Sequence, residues 1–155
     1  MKITNNQVFI AQNYLAELNL AKFDKDIRIA IYKNVGELST AVKAVQDKME
    51  ASKKSLFKDL DEDAQKVNAL REEFNKEETT KERKDAILVE ILAFKKYLGV
   101  EKEFMEITSK FGEDEVEVKL VSINFDKFVD GLVESDIEFT AIGLQRIAFL
   151  FNNKK

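Results

Sequence analysis

The chain has 155 residues, with 25 Lys and Arg against 29 Asp and Glu, a formal net charge of -4, 45% apolar residues, and no His, Cys, Pro or Trp. Without thiol or imidazole it has no cysteine nucleophile, no disulfide, no imidazole base and no imidazole or thiolate metal ligand, which excludes most hydrolase and zinc-site designs. The mild negative charge does not mark a general polyanion binder, and the length suits one domain with a real core.

A charged fraction of 35% with only five Gly indicates long helical segments without breakers. The opening residues carry no apolar run of signal-peptide length and no arginine-rich transit character, so the cytoplasm, or the interior of an infected cell, is the expected location. Lys2–Thr4 is compatible with a short strand. Thr4-Asn5-Asn6-Gln7 has the spacing of a capping box and starts a helix expected from about Asn5 to Leu18, with Val8, Ala11, Leu15 and Leu18 on one face and Phe9 and Tyr14 widening it. Asn19 to Phe23 is a break, and Asp24 is a fair N-cap for the next helix.

From Ile27 the apolar positions run Ile31, Val35, Leu38, Val42, Val45, Met49 and Leu56, with alternating steps of three and four between Val35 and Met49. Unbroken, this is a helix of about 33 residues. Gly36 weakens it by about 1 kcal/mol relative to Ala, so Asn34-Val35-Gly36 is an alternative break. Two heptads fall short of an intermolecular coiled coil, and an antiparallel helical hairpin within one chain is expected. The acidic run from Asp59 to Asp63 has hard-cation ligands but lacks the loop spacing of a calcium site; it complements the start of a second helix bearing Ala64, Val67, Leu70 and Phe74. No metal is expected there.

The charged stretch Asn75 to Asp85 reads as a solvated turn, with a second capping box at Thr79-Thr80-Lys81-Glu82. A third helix then presents Ile87, Ile91, Phe94 and Leu98, with Leu88 and Leu92 beside them. Gly99 is expected to end it. A shorter helix from about Glu101 to Phe111 is expected to stop at Gly112. Glu115 to Ile123 alternates as a strand should, with Val116, Val118 and Leu120 on one face. A lone strand needs partners for its backbone. Lys2–Thr4 can supply them in a small two-stranded sheet; otherwise a second chain or a target protein adds at the open edge. Glu115, Glu117, Lys119 and Val121 are the candidate interaction surface of that edge.

Asn124 to Leu132 is a short helix or turn with Phe125, Phe128 and Val129 inward, ended by Gly131. Ser135-Asp136-Ile137-Glu138 is a third capping box, expected to launch a central core helix over Ser135–Phe151. That segment is apolar nearly all round, as a helix covered from several sides must be, and Gly143 would let another helix approach closely. Its length and Arg146 exclude a membrane span. The polar tail Asn152-Asn153-Lys154-Lys155 is expected to fray. The fold class is therefore mainly α (α+β) in a single domain over 1–155: a long helical hairpin over about 24–98, and a compact helix–strand–helix module over about 100–151 with a small two-stranded β element beside the core helix.

No phosphate-cradling glycine motif, nucleophile elbow or zinc-protease motif is present, and no carboxylate sits in an apolar stretch that would raise its pKa. An enzyme is not expected, nor is a cofactor. Lys81, Arg83, Lys84, Lys95 and Lys96 are interspersed with Glu82, Asp85 and Glu90 and lack an aromatic platform, so nucleic-acid binding is not expected.

Two portions carry a resemblance. Met1 to Phe9 together with Ile29 to Val42, and Glu103 to Phe128 running into Leu144–Phe151, resemble an uncharacterised family of small proteins encoded by tailed phages and prophages. The resemblance covers about half of the chain. It implies a phage origin and no known activity, and it transfers no functional residue. The expected function is a non-enzymatic protein–protein interaction protein, either a virion or tail-assembly accessory or an inhibitor of a host defence system, with a partner that is the chain itself or a host or virion protein. The alternative is an oligomeric sponge for a nucleotide signal, with Arg83, Lys84, Lys95 and Lys96 as candidate phosphate contacts.

Overall fold

Thr4 opens the first helix as its spacing predicts: its hydroxyl accepts the Gln7 N–H at 3.2 Å, and the Gln7 side chain accepts the Thr4 N–H at 2.9 Å. The computed structural model describes residues 1–151, so the tail expected to fray lies outside the described residues. The elements in order are β1 (Lys2–Thr4), α1 (Asn5–Ala16), α2 (Lys25–Leu56), α3 (Asp61–Asn75), α4 (Lys81–Leu92), α5 (Lys95–Glu113), β2 (Glu115–Glu117), α6 (Phe125–Glu134), α7 (Ala141–Arg146) and a 3₁₀ turn (Ala148–Leu150). The fold is mainly α with one two-stranded antiparallel sheet, in which Lys2 pairs with Glu117, Ile3 with Val116 and Thr4 with Glu115.

The chain divides into two compact units, one from Met1–Asp47 with the described residues from Phe111 onward, the other Lys48–Lys110; α2 and α5 contribute residues to both. The core of the first unit gathers Val8, Ala11 and Leu15 of α1, Ile27, Ile31 and Leu38 of α2, Phe128 and Leu132 of α6, and Ile3, Val118, Ile123, Ile147 and Leu150. Phe128 packs between Phe23 at 5.7 Å and Phe151 at 5.2 Å, ring centre to ring centre. Gly131 is required there, because a Cβ would stand 2.3 Å from the Phe23 ring. The second unit is built on a smaller cluster, Leu60, Val67 and Tyr97, flanked by Phe57, Ala64, Ile91, Phe94 and Leu98. The Phe57 ring contacts Tyr97 and Phe104 edge-on at 5.6 and 5.8 Å.

Several expected boundaries move, each for a local reason. Helix α2 is continuous through Gly36, because the Asn34 amide finds partners outside its own helix and does not compete with the helical backbone. Asp24 lends its carbonyl to the Arg28 N–H, while its carboxylate is held by Lys127 at 2.7 Å. Thr80, one residue later than expected, caps α4 by accepting the Arg83 N–H; Thr79 donates its hydroxyl to the Glu73 carbonyl. The third helix is interrupted at Ala93–Phe94, where the Phe94 N–H bonds to Ile91 and the Lys95 N–H to Ala93, so that Phe94, Tyr97 and Leu98 reach one cluster. Gly99 therefore lies inside α5 and ends nothing. Gly112 is also helical, and its missing side chain makes room for Asn6, whose atoms would stand 2.7 Å from a Cβ.

The largest departure is the carboxy-terminal segment, which is not one core helix. Ser135 caps the end of α6, the Asp136 N–H bonds to the Val133 carbonyl, and the Ile137 N–H bonds to the Leu132 carbonyl. This pair of bonds is a Schellman ending, with Asp136 in the left-handed region at φ 53°. A residue locked there cannot be the second residue of a new helix, so the sequence expected to open a helix closes one. Thr140 caps the short α7 by accepting the Gly143 N–H at 3.0 Å, and the chain ends the described region in a bridge between Phe151 and Ile123. No helix among the described residues is long and apolar enough to cross a membrane.

Asp136 tolerates the left-handed region better than most residues, but glycine does so with no Cβ cost. Asp136→Gly is expected to raise stability by about 0.5 kcal/mol, and Asp136→Val to lower it by about 1–2 kcal/mol. Urea unfolding midpoints of the two variants against the parent check both signs.

Candidate interaction surfaces

The expected nine-residue strand is only three residues long, and α2 is the reason. Met1 and Val118 exchange bonds, Met1 N to Val118 O at 2.7 Å and Val118 N to Met1 O at 2.9 Å, and the Asn5 N–H reaches Asp114 O at 2.9 Å. These contacts set the alternation of the ladder: Ile3 and Val116 face each other as the bonded pair, and Glu115 and Glu117 turn their backbone groups away from β1. Beyond Glu117 that same edge is closed by side chains of α2. Glu37 accepts the Lys119 N–H at 3.0 Å. Asn34, fully buried, accepts the Val121 N–H at 2.7 Å and donates to the Val121 carbonyl at 2.8 Å. The structure thus splits the four residues expected to form an open edge. Lys119 and Val121 are engaged, and Glu115 and Glu117 are open.

A second surface lies on α4. Ile87 is buried and Ile91 turns toward the Tyr97 cluster, which leaves Leu88, Val89 and Leu92 on the other side, 49%, 70% and 63% exposed. Leu92 lies four residues from Leu88 and three from Val89, which joins the three into one apolar surface. In the sequence Leu88 and Leu92 read as neighbours of the core stripe, and beside it they are; Val89, opposite Ile87 and Ile91 on the helix, is the signal that the apolar surface extends to the outer face. Lys81, Glu82 and Asp85 lie along the exposed side of the same helix.

The four basic candidates do not form one cationic site. Arg83 is held by Glu73 at 2.6 and 2.8 Å and by Glu90 at 2.6 Å, which neutralises it and drives its pKa upward. The Lys84 ammonium sits 5.5 Å from the centre of the Phe74 ring. Lys95 and Lys96 are exposed in the first turn of α5, with no ion-pair partner among the described residues. A second carboxylate–guanidinium pair, Arg71 with Glu101, is bidentate at 2.7 Å on both arms. Its hydrogen bonds hold the Glu101 carboxyl below its ordinary value of 4.5 against the opposing effect of burial.

Among the described residues no group of three or more acidic side chains is arranged to hold a metal ion, and Asp61, Glu62 and Asp63 occupy the first turn of α3, where they complement the helix dipole. Among the concavities of the first unit, two have a largely apolar lining. One, about 360 Å³, is bordered by Phe125, Leu144, Ala148 and Phe151. The other, about 490 Å³, is bordered by Tyr14, Ile137, Phe139 and Gly143; burial pushes the Tyr14 phenol up, and its hydroxyl has no partner among the described residues.

Comparison of the chain with protein-family models, with curated proteins and with solved structures finds no match.

Asn34→Leu keeps the volume but strands the part-buried N–H and carbonyl of Val121, and is expected to cost about 1–3 kcal/mol, read as a lower urea midpoint. Glu101 has a lowered folded-state pKa, so its contribution is present above the unfolded value and is lost as pH falls through the folded one. The stability gap between the parent and Glu101→Gln is therefore expected to close as pH drops below 4.5, measured as unfolding midpoints across a pH series.

Proposed function

We propose that this chain is a non-enzymatic protein–protein interaction protein that docks through the outer face of α4. The observation that carries the proposal is the exposure of Leu88, Val89 and Leu92 together on one helical face of a chain that is 35% charged. Contiguous apolar side chains bordered by charge mark contact surfaces, because each Å² left in water forgoes about 25 cal/mol. Three side chains remove less area than the roughly 1,200–2,000 Å² of a stable interface, so this face is the apolar centre of a wider contact with a polar rim. Lys81, Glu82 and Asp85 are placed to supply that rim. The resemblance to small tailed-phage proteins supports a virion or tail-assembly accessory, or an inhibitor of a host defence system. The nucleotide-sponge alternative is less well supported, since the Arg83 guanidinium is already matched by two carboxylates.

Native mass spectrometry of protein purified from host cells tests the proposal. The parent is expected to retain a protein partner, a further copy or a different protein. Leu88→Glu/Leu92→Glu, which changes only exposed positions, is expected to run as a bare monomer. A bare parent monomer, or a retained small-molecule mass, would overturn it.

A further inference from the structure

The edge of β2 is a separate surface from α4, and its backbone geometry specifies what it can accept. Glu115 and Glu117 point their N–H and C=O groups outward, and no hydrogen bond among the described residues occupies them. The open length is short: Glu37 and Asn34 close the edge from Lys119 onward, and before Glu115 the chain is helical up to Glu113, the last residue of α5.

We propose that this edge takes an extended segment of another protein with the pattern basic–apolar–basic, added antiparallel to β2. A strand added there makes its bonded pairs with Glu115 and Glu117, so the side chains directly opposite them lie on the same sheet face. Opposite charges at such positions stabilise the pair and like charges oppose it, which selects Lys or Arg at both. The residue between them faces Val116, on the core side of the sheet, and is apolar. Glu113 and Asp114 extend the negative charge beside the edge. A second copy of this chain is not the occupant. Two β2 edges would set glutamate against glutamate, and the sequence contains no basic–apolar–basic triplet: its one pair of basic residues two apart, Lys81 and Arg83, brackets Glu82.

The test uses the full-length ¹⁵N-labelled chain and three end-blocked peptides: Thr-Lys-Val-Lys-Thr, the same peptide N-methylated at both lysines, and Thr-Glu-Val-Glu-Thr. The lysine peptide is expected to shift the Glu115 and Glu117 amide signals and slow their exchange. The N-methylated and glutamate peptides are expected to bind at least tenfold more weakly. The double variant Glu115→Lys/Glu117→Lys is expected to reverse the preference, taking the glutamate peptide over the lysine one. Leu88→Glu/Leu92→Glu is expected to bind the lysine peptide as the parent does, which separates this edge from the α4 face. Equal binding of the N-methylated peptide would reduce the contact to charge attraction, and shifts confined to other residues would place it elsewhere. Either result, or no shift at millimolar peptide, overturns the proposal.

Discussion

One buried amide fixes the arrangement of the first unit. Asn34 lies in the middle of the stripe Ile27, Ile31, Leu38, Ala41 and Val45 that α2 turns inward, and its side chain holds both backbone groups of Val121. A peptide group in a core costs several kcal/mol unless it is paired. Here the pairing comes from a side chain of a helix where an extended segment would ordinarily find a neighbouring strand. Glu37, one turn further along, does the same for Lys119. The segment after β2 can therefore run beside α2 without a third strand, with Val118 and Ile123 buried and Lys119, Val121 and Ser122 exposed. The sheet stays at two strands of three residues, and Ile123 is free to receive the end of the chain through its bridge to Phe151.

This arrangement was partly legible in the sequence. The capping box at Thr4, the long helix from Lys25 to Leu56 and the inward faces of α1 and α2 follow from local spacing, and the pairing of the amino terminus with residues near Glu115 follows from the need of a lone strand for a backbone partner. The length of β2 does not, because alternation of Val116, Val118 and Leu120 describes side-chain direction and says nothing about which groups satisfy the backbone. Asn34 could have been found: a polar residue at the four-then-three spacing from Ile27 and Ile31 to Leu38 must have a partner. The segment from Ser135 misled for a different reason. Its residues fit both a helix start and a helix end, and the choice is made by the preceding helix, whose last turn needs its carbonyls satisfied by Asp136 and Ile137. Likewise, Gly99 and Gly112 look like stops, yet one is tolerated inside α5 and the other is there for the approach of Asn6.

The two surfaces left available differ in kind. On α4 the unsatisfied quantity is apolar area, because Ile87 is buried and Ile91 packs on the small cluster around Val67 and Tyr97 while Leu88, Val89 and Leu92 stay exposed. On β2 the unsatisfied quantity is backbone hydrogen bonding at two residues, held open by charge that discourages self-pairing. The Arg83 guanidinium, held by the carboxylates of Glu73 and Glu90, adds no free charge to either surface.

Amide hydrogen exchange along residues 115–121 of the free protein tests most directly the claim that α2 closes one part of this edge and leaves the other open. The amides of Lys119 and Val121 are expected to be protected, and those of Glu115 and Glu117 to exchange near the rate of an unstructured chain. Uniform protection across all four would show a covered edge, and uniform fast exchange would show that the side chains of Asn34 and Glu37 do not hold the segment; either would contradict the account.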